Sequence, residues 1–439
     1  MVTPLQFLGL WQHLKVVLQG QVGRRLGEVV LARLSEEPVL ALHGPRSVGK
    51  STLLRETAER FGGAVIDLDD LAVREAFRPD PGLFVAGPAP VCIDEYQHVP
   101  ETLDAIKAEL NRRTSPGRFV ITGSTRHDAL PSAAQALTGR LHLLTVLPLT
   151  QGEIAGVRED FVEGVLQDPL LPITATVSMT SREDYVGRVC AGGFPLALQR
   201  EGASRARWFD DYVRLSLSRD VAELAPRLRQ AAVLPKLLER LAAQTGQLLN
   251  VTSAADAVGM DASTAEGYLK LLEAVYLVRR LPSWGKTLRS RVGSHPKLHV
   301  VDSGLAARLL RVTPAKLAAL NPSTLTEFGH LLETFVVGEV LKQVSWLDAA
   351  VDVGQWHTRD GDEVDLVIET EEGDVVAFEV KAAGRVPGGD LKGLRKLRDA
   401  LGERFKGGYA MYTGQRSYTA EDRLHVIPIE RLWTHHGAS

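Results

Sequence analysis

The sequence predicts an α/β protein whose first domain contains a parallel sheet with helices on both faces. Apolar, strand-like segments alternate there with segments of helical periodicity, an order that is typical of parallel strands joined by helices. The first strand is followed by a glycine-rich loop, and a later strand ends in two acidic residues. Ligands of such sheets bind at the carboxyl ends of the strands, so we expect the functional site at that edge. The predicted strands are Val39 to Leu42, Ala64 to Asp69, Val91 to Asp94, Arg118 to Ser124 and His142 to Leu149.

The glycine-rich loop predicts a phosphate-binding site. Residues Gly44 to Ser51 match the pattern GxxxxGK[ST], between an apolar strand and a helix-like segment. Glycines let successive backbone N–H groups and the following helix N-terminus face the phosphates. Lys50 would reach the outer phosphates, and the Ser51 hydroxyl would hold Mg²⁺, so the loop predicts binding of ATP or GTP. The predicted nucleotide contacts are Gly44, Pro45, Arg46, Ser47, Val48, Gly49, Lys50, Ser51 and Thr52.

The acids that follow the third strand predict hydrolysis as well as binding. Asp94 and Glu95 have the Walker B form, in which the first acid orients Mg²⁺ and the second polarises the attacking water. The next strand ends in the hydroxyls of Thr122 and Ser124, where a side chain could sense the γ-phosphate. Hydroxyls at a strand end also serve simply as caps or turns, which is the alternative for both residues.

Composition narrows the class of protein. A chain of 439 residues that is 44% hydrophobic predicts two or three domains. The net charge of −3 excludes a globally basic nucleic-acid coat, so any contact with DNA depends on local patches. The two cysteines, Cys92 and Cys190, predict free thiols in a reducing compartment. Residues 1 to 20 do not have the pattern of a signal peptide or a membrane span, so we expect a cytoplasmic protein without membrane contact.

Changes in periodicity divide the chain into five parts. Apolar residues recur at helical spacing from Ala203 to Leu224, and a second helix is predicted from Leu234 to Gln244. We therefore predict an N-terminal extension at 1–22, a P-loop ATPase core at 23–155, a helical lid or linker at 156–246, a winged-helix-like domain at 247–310 and a C-terminal domain at 311–439.

The winged-helix prediction is based on two short helices, a strand and a basic segment. The helices are predicted at Thr252 to Val258 and from Asp261 or Ser263 to Val275, and the strand at Tyr276 to Leu281. Contact of this domain with protein, or packing as a lid, is the alternative to DNA, because Glu266 makes the would-be recognition helix a poor face for a groove. In the DNA interpretation the basic segment is a wing whose side chains meet phosphates. These side chains are Lys286, Arg289, Arg291 and Lys297.

Two neighbouring strands in the C-terminal domain predict a second site. In Glu363 to Glu369 and in Val376 to Lys381, acids alternate with apolar residues, so that the apolar set faces a core and Asp365 faces out. Adjacent carboxylates favour a hard divalent cation, and a nearby lysine can activate water for phosphodiester hydrolysis. The pattern is that of a restriction-endonuclease-like PD-(D/E)XK core, with an ordinary exposed hairpin as the alternative. Its predicted members are Glu333 from a preceding helix, Asp365, Glu379 and Lys381.

The motifs together resemble a prokaryotic family of AAA-type ATP-binding proteins. Members join a P-loop ATPase domain to a C-terminal, DUF4143-type domain with a restriction-endonuclease-like core. The resemblance covers nearly the whole chain, from about Arg24 to Arg431. The matching strings include GPRSVGKSTLL (Gly44 to Leu54), CIDEYQHVPETL (Cys92 to Leu103), FVITGST (Phe119 to Thr125), GGFP (Gly192 to Pro195), SRDV (Ser218 to Val221) and LLETFVVGEVLK (Leu331 to Lys342).

The resemblance implies binding of ATP with Mg²⁺ and hydrolysis of the nucleotide. It assigns these roles to Lys50, Ser51, Asp94 and Glu95, with Gln97 following the Walker B acids. It also makes Arg140 and Arg219 candidates for γ-phosphate sensing, or for an arginine finger that reaches a neighbouring subunit of a homo-oligomer. A structural ion pair is the alternative for each arginine.

Three functions are compatible with these features. The favoured one is an oligomeric ATPase that moves or remodels DNA. The second is an ATP-dependent switch that binds a partner protein, as in signalling or defence. The third is an ATP-dependent, metal-dependent nuclease. DNA-stimulated turnover would separate the first from the second, and metal-dependent cleavage would identify the third.

Overall fold

The first domain contains a five-stranded sheet with helices on both faces. The structure is a computed structural model that describes residues 22–126, 137–226, 228, 231–285, 295–319, 321–358 and 360–434. The strand order is β2-β3-β4-β1-β5, and every pairing is parallel. The strands are β1 (Val39–His43), β2 (Val65–Asp67), β3 (Val91–Asp94), β4 (Phe119–Gly123) and β5 (Leu141–Thr145), and the helices are α1 (Arg25–Leu34), α2 (Lys50–Arg60), α3 (Leu71–Phe77), α4 (Pro81–Val85), α5 (Glu101–Arg112) and α6 (Gln151–Ala155).

Alternation of apolar residues along β1 explains why the sheet is covered on both sides. Leu40 and Leu42 belong to one buried cluster, whereas Val39 and Ala41 belong to a second one. Successive side chains of a strand point to opposite faces, so a strand without exposed residues must have helices above and below it. The predicted parallel sheet is thereby confirmed, although β2 and β5 are shorter than predicted.

A helical region follows the sheet. It consists of α7 (Phe161–Gln167), α8 (Arg182–Ala191), α9 (Pro195–Leu198), α10 (Gly202–Leu215), α11 (Val221–Leu224) and α12 (Leu234–Ala242). A π-helical segment, Ser216–Asp220, joins α10 to α11 without a break. The continuous helical periodicity predicted from Ala203 to Leu224 is therefore confirmed, with one widened turn near its end.

The next region is a small antiparallel sheet with two helices. Its elements are β6 (Gln247–Leu248), α13 (Val251–Asp256), α14 (Ala262–Ala274), β7 (Val278–Leu281) and β8 (Lys297–Val300), with strand order β6-β8-β7. The Asp261 side chain accepts a hydrogen bond from the Thr264 N–H at 2.8 Å, which caps α14 as predicted. Tyr276 has φ 58° and turns the chain after α14, so β7 begins two residues later than predicted.

The C-terminal domain is a mixed six-stranded sheet. Its order is β13-β14-β12-β11-β10-β9, with antiparallel β9, β10 and β11 followed by parallel β11, β12 and β14. None of the described helices combines the length and the apolar character needed to cross a bilayer. The elements are α15 (Ser303–Leu309), α16 (Pro314–Ala318), α17 (Pro322–Val344), β9 (Val351–His357), β10 (Glu363–Thr370), β11 (Val375–Lys381), α18 (Lys392–Leu401), β12 (Phe405–Tyr412), β13 (Tyr418–Glu421) and β14 (Leu424–Pro428).

Candidate functional site

The loop between β1 and α2 requires glycine at two positions. A Cβ atom on Gly44 would lie 2.0 Å from the carbonyl oxygen of Val146, so only glycine fits against this backbone. Gly49 has φ 94°, a left-handed conformation that side chains disfavour, and it precedes the first residue of α2. The chain therefore turns tightly out of β1 and presents the amino end of α2, the arrangement that binds phosphate.

Lys50 is the first residue of α2 and lies inside the loop. Its ammonium donates to the carbonyl oxygens of Gly44 at 3.0 Å and Pro45 at 2.8 Å. Burial lowers the pKa of Lys50, and the nearby carboxylates of Asp94 and Glu95 oppose that shift. The ammonium is therefore already within the loop, bound to carbonyl groups that the phosphate oxygens of a nucleotide would replace.

Asp94 ends β3 beside the loop and has the surroundings of a magnesium ligand. Its carboxylate accepts a hydrogen bond from the Thr122 hydroxyl on β4. Burial raises the pKa of Asp94, while hydrogen bonds from Thr122 and Ser51 lower it. The Ser51 hydroxyl and the Asp94 carboxylate thus lie next to each other, and hard oxygen donors of this kind fit Mg²⁺. The ion would neutralise charge on the phosphates when bound.

Hydrogen bonds with neighbouring polar side chains hold Glu95 in place. Gln97 donates through Nε2 to the Glu95 carboxylate and to the Ser124 hydroxyl, the latter at 3.0 Å. Burial raises the pKa of Glu95, but the charges of Lys50 and Arg46 oppose burial, and the pKa lies below its ordinary value. Hydrogen bonds from Gln97 and Ser124 lower the pKa further. Glu95 is therefore an ionised carboxylate, the form that a general base requires.

Thr122 and Ser124 have different partners in this arrangement. The Thr122 hydroxyl accepts the Glu95 backbone N–H at 3.0 Å and donates to Asp94, so it fixes both Walker B acids. Ser124 is buried, contacts Gln97 and also hydrogen-bonds to Glu95. Thr122 therefore orients both acids, whereas Ser124 acts on Glu95 alone, directly and through Gln97.

An ion pair between the loop and the helical region was not predicted from the sequence. Arg46 Nε donates to the Asp220 carboxylate at 2.7 Å, and Asp220 is only 4% exposed. Burial raises the pKa of Asp220, and the Arg46 charge lowers it. The signal available in the sequence was the SRDV string, which directed attention to Arg219 instead of its neighbour.

The two arginines that were predicted as γ-phosphate sensors or arginine fingers lie in different places. Arg219 is half exposed and donates to Asp69 at 3.1 Å, just beyond the carboxyl end of β2. It therefore lies on the same edge of the sheet as the loop, in an ion pair of its own chain.

Arg140 lies at the opposite edge of the sheet. It precedes Leu141, which pairs with Val39 at the start of β1, whereas the loop follows the end of that strand. Its guanidinium donates to Asn111 at 2.7 Å. This position corrects the prediction that Arg140 senses a γ-phosphate bound by its own chain. Contact with a neighbouring subunit remains a prediction.

The four residues predicted for the second site do come together. Glu333 lies on α17, Asp365 on β10, and Glu379 and Lys381 on β11, and the Lys381 ammonium donates to Glu379 at 2.8 Å. Asp365 is buried rather than facing out, because the sheet is covered on both faces. Burial raises the pKa of Glu379 to about 8, and the neighbouring Asp365 raises it as well.

A fifth residue, Lys297, lies among these acids. Its ammonium donates to Glu333 at 2.8 Å and to Asp365 at 2.7 Å, and the residue is 2% exposed. The prediction that Lys297 contacts DNA phosphates is therefore wrong, since its charge is buried and paired. The other predicted DNA contacts, Lys286, Arg289 and Arg291, lie outside the described residues.

Three regions of the chain match known domain families. Residues 36–155 match an AAA domain family, residues 182–316 match the domain of unknown function DUF8612, and residues 328–432 match the domain of unknown function DUF4143. An uncharacterized protein of Mycobacterium tuberculosis is 27% identical over 404 residues, which cover 91% of this chain and 82% of that protein. An uncharacterized protein of Mycobacterium bovis matches to the same extent.

Three solved structures also resemble part of this chain. A Walker-type ATPase of Pyrococcus abyssi is 14% identical, with a TM-score of 0.42 and coverage of 66% of this chain and 96% of that one. The RuvB Holliday junction branch migration motor of Thermotoga maritima is 16% identical, with a TM-score of 0.27 and coverage of 62% and 89%. AMPPCP-bound DnaA of Aquifex aeolicus is 13% identical, with a TM-score of 0.28 and coverage of 58% and 90%.

Proposed function

Because the chain joins a P-loop AAA domain at its N-terminal end to a DUF4143 domain at its C-terminal end, we propose that it hydrolyses ATP to act on DNA. The observation that carries the ATPase part is the convergence of Lys50, Asp94 and Glu95 at the carboxyl edge of one sheet. These groups supply the three needs of phosphoryl transfer to water: a cation at the phosphates, a metal ligand and a base.

Each side chain has a separate task in this reaction. Lys50 would release its two loop carbonyls and contact the outer phosphates. Ser51 and Asp94 would hold Mg²⁺, which neutralises phosphate charge. Glu95 would orient the attacking water and accept its proton, while the Gln97 amide keeps the carboxylate in place.

The region from β6 to β8 supports a contact with DNA. Its order of strand, two helices and two strands, with β8 between β6 and β7, supports the proposal of a winged helix. The acidic Glu266 on α14 is paired with Arg280 at 2.6 Å, so its charge is offset on the helix that would enter a groove. The pairing of Glu266 and the basic residues between 286 and 291 support DNA, rather than an acidic protein surface, as the ligand.

A direct contact supports coupling between the nucleotide and this region. The Arg126 backbone N–H donates at 2.9 Å to the carbonyl of Ala274, the last residue of α14. Arg126 lies two residues after Ser124 and three after the end of β4, so a movement of β4 would reach α14 without an intermediate element. The affinities for nucleotide and for DNA would then influence each other.

The test is ATP turnover of the full chain with and without single-stranded, duplex and branched DNA. We expect at least one DNA form to increase turnover several-fold and the Lys50→Ala variant to show no turnover under any condition. Light scattering with ATP present would measure the subunit number, for which we propose a homo-oligomer that uses Arg219 or Arg140 across the interface. Turnover that ignores every DNA form would reject the DNA role and leave the ATPase assignment in place.

A groove favours a second candidate, an ATP-dependent switch that binds a partner protein. The groove has a volume of 770 Å³ and is lined by apolar and charged residues, most of them on α10, α12 and α15. It also includes Leu217 and Ser218 of the π-helical segment, which carries the Asp220 partner of the P-loop. A peptide helix bound there would contact the segment that touches the nucleotide site. The lining apolar residues include Phe209, Val213, Leu217, Pro235 and Leu309.

A further inference from the structure

The second acidic cluster contains its own cation. We infer that Lys297 permanently takes the place of the divalent metal ion that a PD-(D/E)XK site would bind, so that this domain does not cleave DNA. The inference is independent of the proposed ATPase, because it concerns a cluster built from β8, α17, β10 and β11.

The geometry defines one point at which the carboxylates converge. Oxygens of Glu333 and Asp365 lie 2.8 and 2.7 Å from the Lys297 ammonium, and an oxygen of Glu363 lies at 3.8 Å. A divalent cation takes oxygen ligands at about 2.0 to 2.6 Å, so an ion bound to these two oxygens would need the point that the ammonium fills. The ammonium and the metal ion cannot be there together.

Groups of the chain also bind two further carboxylate oxygens of the cluster. The second oxygen of Asp365 accepts the Val380 N–H at 2.9 Å, and one oxygen of Glu379 accepts from Lys381. The other oxygen of Glu379 is buried without a hydrogen-bond partner in the described part of the chain. Across the described ranges, no three His, Cys, Asp or Glu side chains form a group that could hold a metal ion. The donor set therefore does not fit a metal while Lys297 is in place.

The charges predict what removal of the lysine would do. Glu333, Asp365 and Glu379 are three buried acids, and Lys297 and Lys381 are the lysines that contact them. Without Lys297, Glu333 and Asp365 would lose their shared counter-charge inside the protein, an arrangement that strongly favours uptake of another cation. A Lys297→Met variant should therefore gain a site for Mg²⁺ or Mn²⁺ that the natural chain lacks.

Lys297 also connects the small antiparallel sheet to the C-terminal domain. It belongs to β8 of the small antiparallel sheet, whereas its partners belong to the helix and strand of the C-terminal domain. The buried cluster thus serves as an attachment point for the region from β6 to β8.

The experiment is a titration of the full chain with Mn²⁺ in the absence of nucleotide, followed by electron paramagnetic resonance. We expect the natural chain and its Asp365→Asn variant to bind Mn²⁺ alike, because neither has an open site in this cluster and both have the same Ser51 and Asp94. Lys297→Met should bind one additional Mn²⁺ per chain, and Lys297→Met/Asp365→Asn should lose it. An exposed lysine, Lys270, provides the matched control, since Lys270→Met should bind no additional ion.

Two results would overturn the inference. One is Mn²⁺ binding, or Mn²⁺-dependent nicking of plasmid DNA, by the natural chain that disappears in Asp365→Asn. The other is a folded Lys297→Met variant, verified by circular dichroism, that gains no ion. If that variant does not fold, the comparison of the natural chain with Asp365→Asn still decides the question.

Discussion

Arg46 in the P-loop and Asp220 in the π-helical segment form an ion pair with Nε and Oδ1 2.7 Å apart. Asp220 is buried, and the terminal nitrogen Nη2 of Arg46 is also buried, without a hydrogen-bond partner among the described residues. Arg46 is the second residue after Gly44, so its guanidinium is close to where phosphates bind. We therefore expect phosphate oxygens and Asp220 to compete for the Arg46 guanidinium.

Asp220→Asn should tighten ATP binding because it removes the competing charge from Arg46. The amide keeps the shape of the side chain, so the helical segment should keep its place. We expect Kd for ATP to fall about tenfold, which corresponds to about 1.4 kcal/mol. Titration with a fluorescent ATP analogue measures the change directly.

The matched control is Arg219→Ala, which removes the neighbouring, half-exposed arginine and should change Kd little in an isolated chain. Arg46→Ala should weaken binding, and the Arg46→Ala/Asp220→Asn double variant should equal Arg46→Ala. An Asp220→Asn variant with unchanged affinity would mean that Arg46 does not exchange Asp220 for the nucleotide.

Glu95→Gln should bind ATP but hydrolyse it at least about a hundredfold more slowly, because a general base contributes about that much. The amide keeps the size of the side chain but cannot accept the proton of the water. Phosphate release measures turnover, and nucleotide titration verifies binding. Glu101→Gln, an exposed change at the start of α5, is the control. Unchanged turnover in Glu95→Gln would exclude Glu95 as the base.

The pH dependence of turnover should reflect the lowered pKa of Glu95. A base whose pKa is lowered stays ionised as pH falls to the ordinary glutamate value near 4.3, so the acid limb of kcat should lie below that pH. Gln97→Ala removes a hydrogen bond that lowers the pKa, so its acid limb should shift to higher pH. A purely structural role for Gln97 would lower kcat at every pH without moving the limb.

The phosphate-binding part of the site could be predicted from the sequence because it is local in the chain. Gly44 to Ser51 span one loop and the start of the helix that follows it. Asp94 and Glu95 lie at the end of a single strand. The parallel sheet then brings the two segments to one edge, since all of its strands have the same direction. The spacing of the motifs and the common strand direction were therefore sufficient to predict this site.

Residues that depend on distant packing could not be predicted. Asp220 meets Arg46 across 174 positions of the chain, and Lys297 meets Asp365 across 68. Lys297 sits in a basic segment, so its sequence neighbours indicated a surface residue, whereas the pairing of β8 places it inside. Arg140 is beside a conspicuous glycine, yet its position before β5 puts it at the wrong edge.

A buried polar network attaches α17 of the C-terminal domain to the end of the ATPase domain. The Lys342 ammonium donates to the Leu149 carbonyl at 3.0 Å and to one oxygen of Glu339 at 2.6 Å. The other oxygen of Glu339 accepts the Gln151 N–H, at the start of α6, at 2.8 Å. Because these groups are buried, removing one of them leaves the others without a hydrogen-bond partner or counter-charge.

Glu339→Ala should therefore destabilise the chain far more than loss of an exposed ion pair. It leaves the Lys342 charge buried without its carboxylate, a change that typically costs about 3 to 5 kcal/mol. Asp210→Ala is the control, since it breaks the exposed pair with Arg308 and should cost less than about 1 kcal/mol. Urea unfolding followed by tryptophan fluorescence measures both variants. Similar losses in the two would mean that this network does not hold the domains together, whereas separate unfolding transitions in Glu339→Ala alone would identify it as the connection.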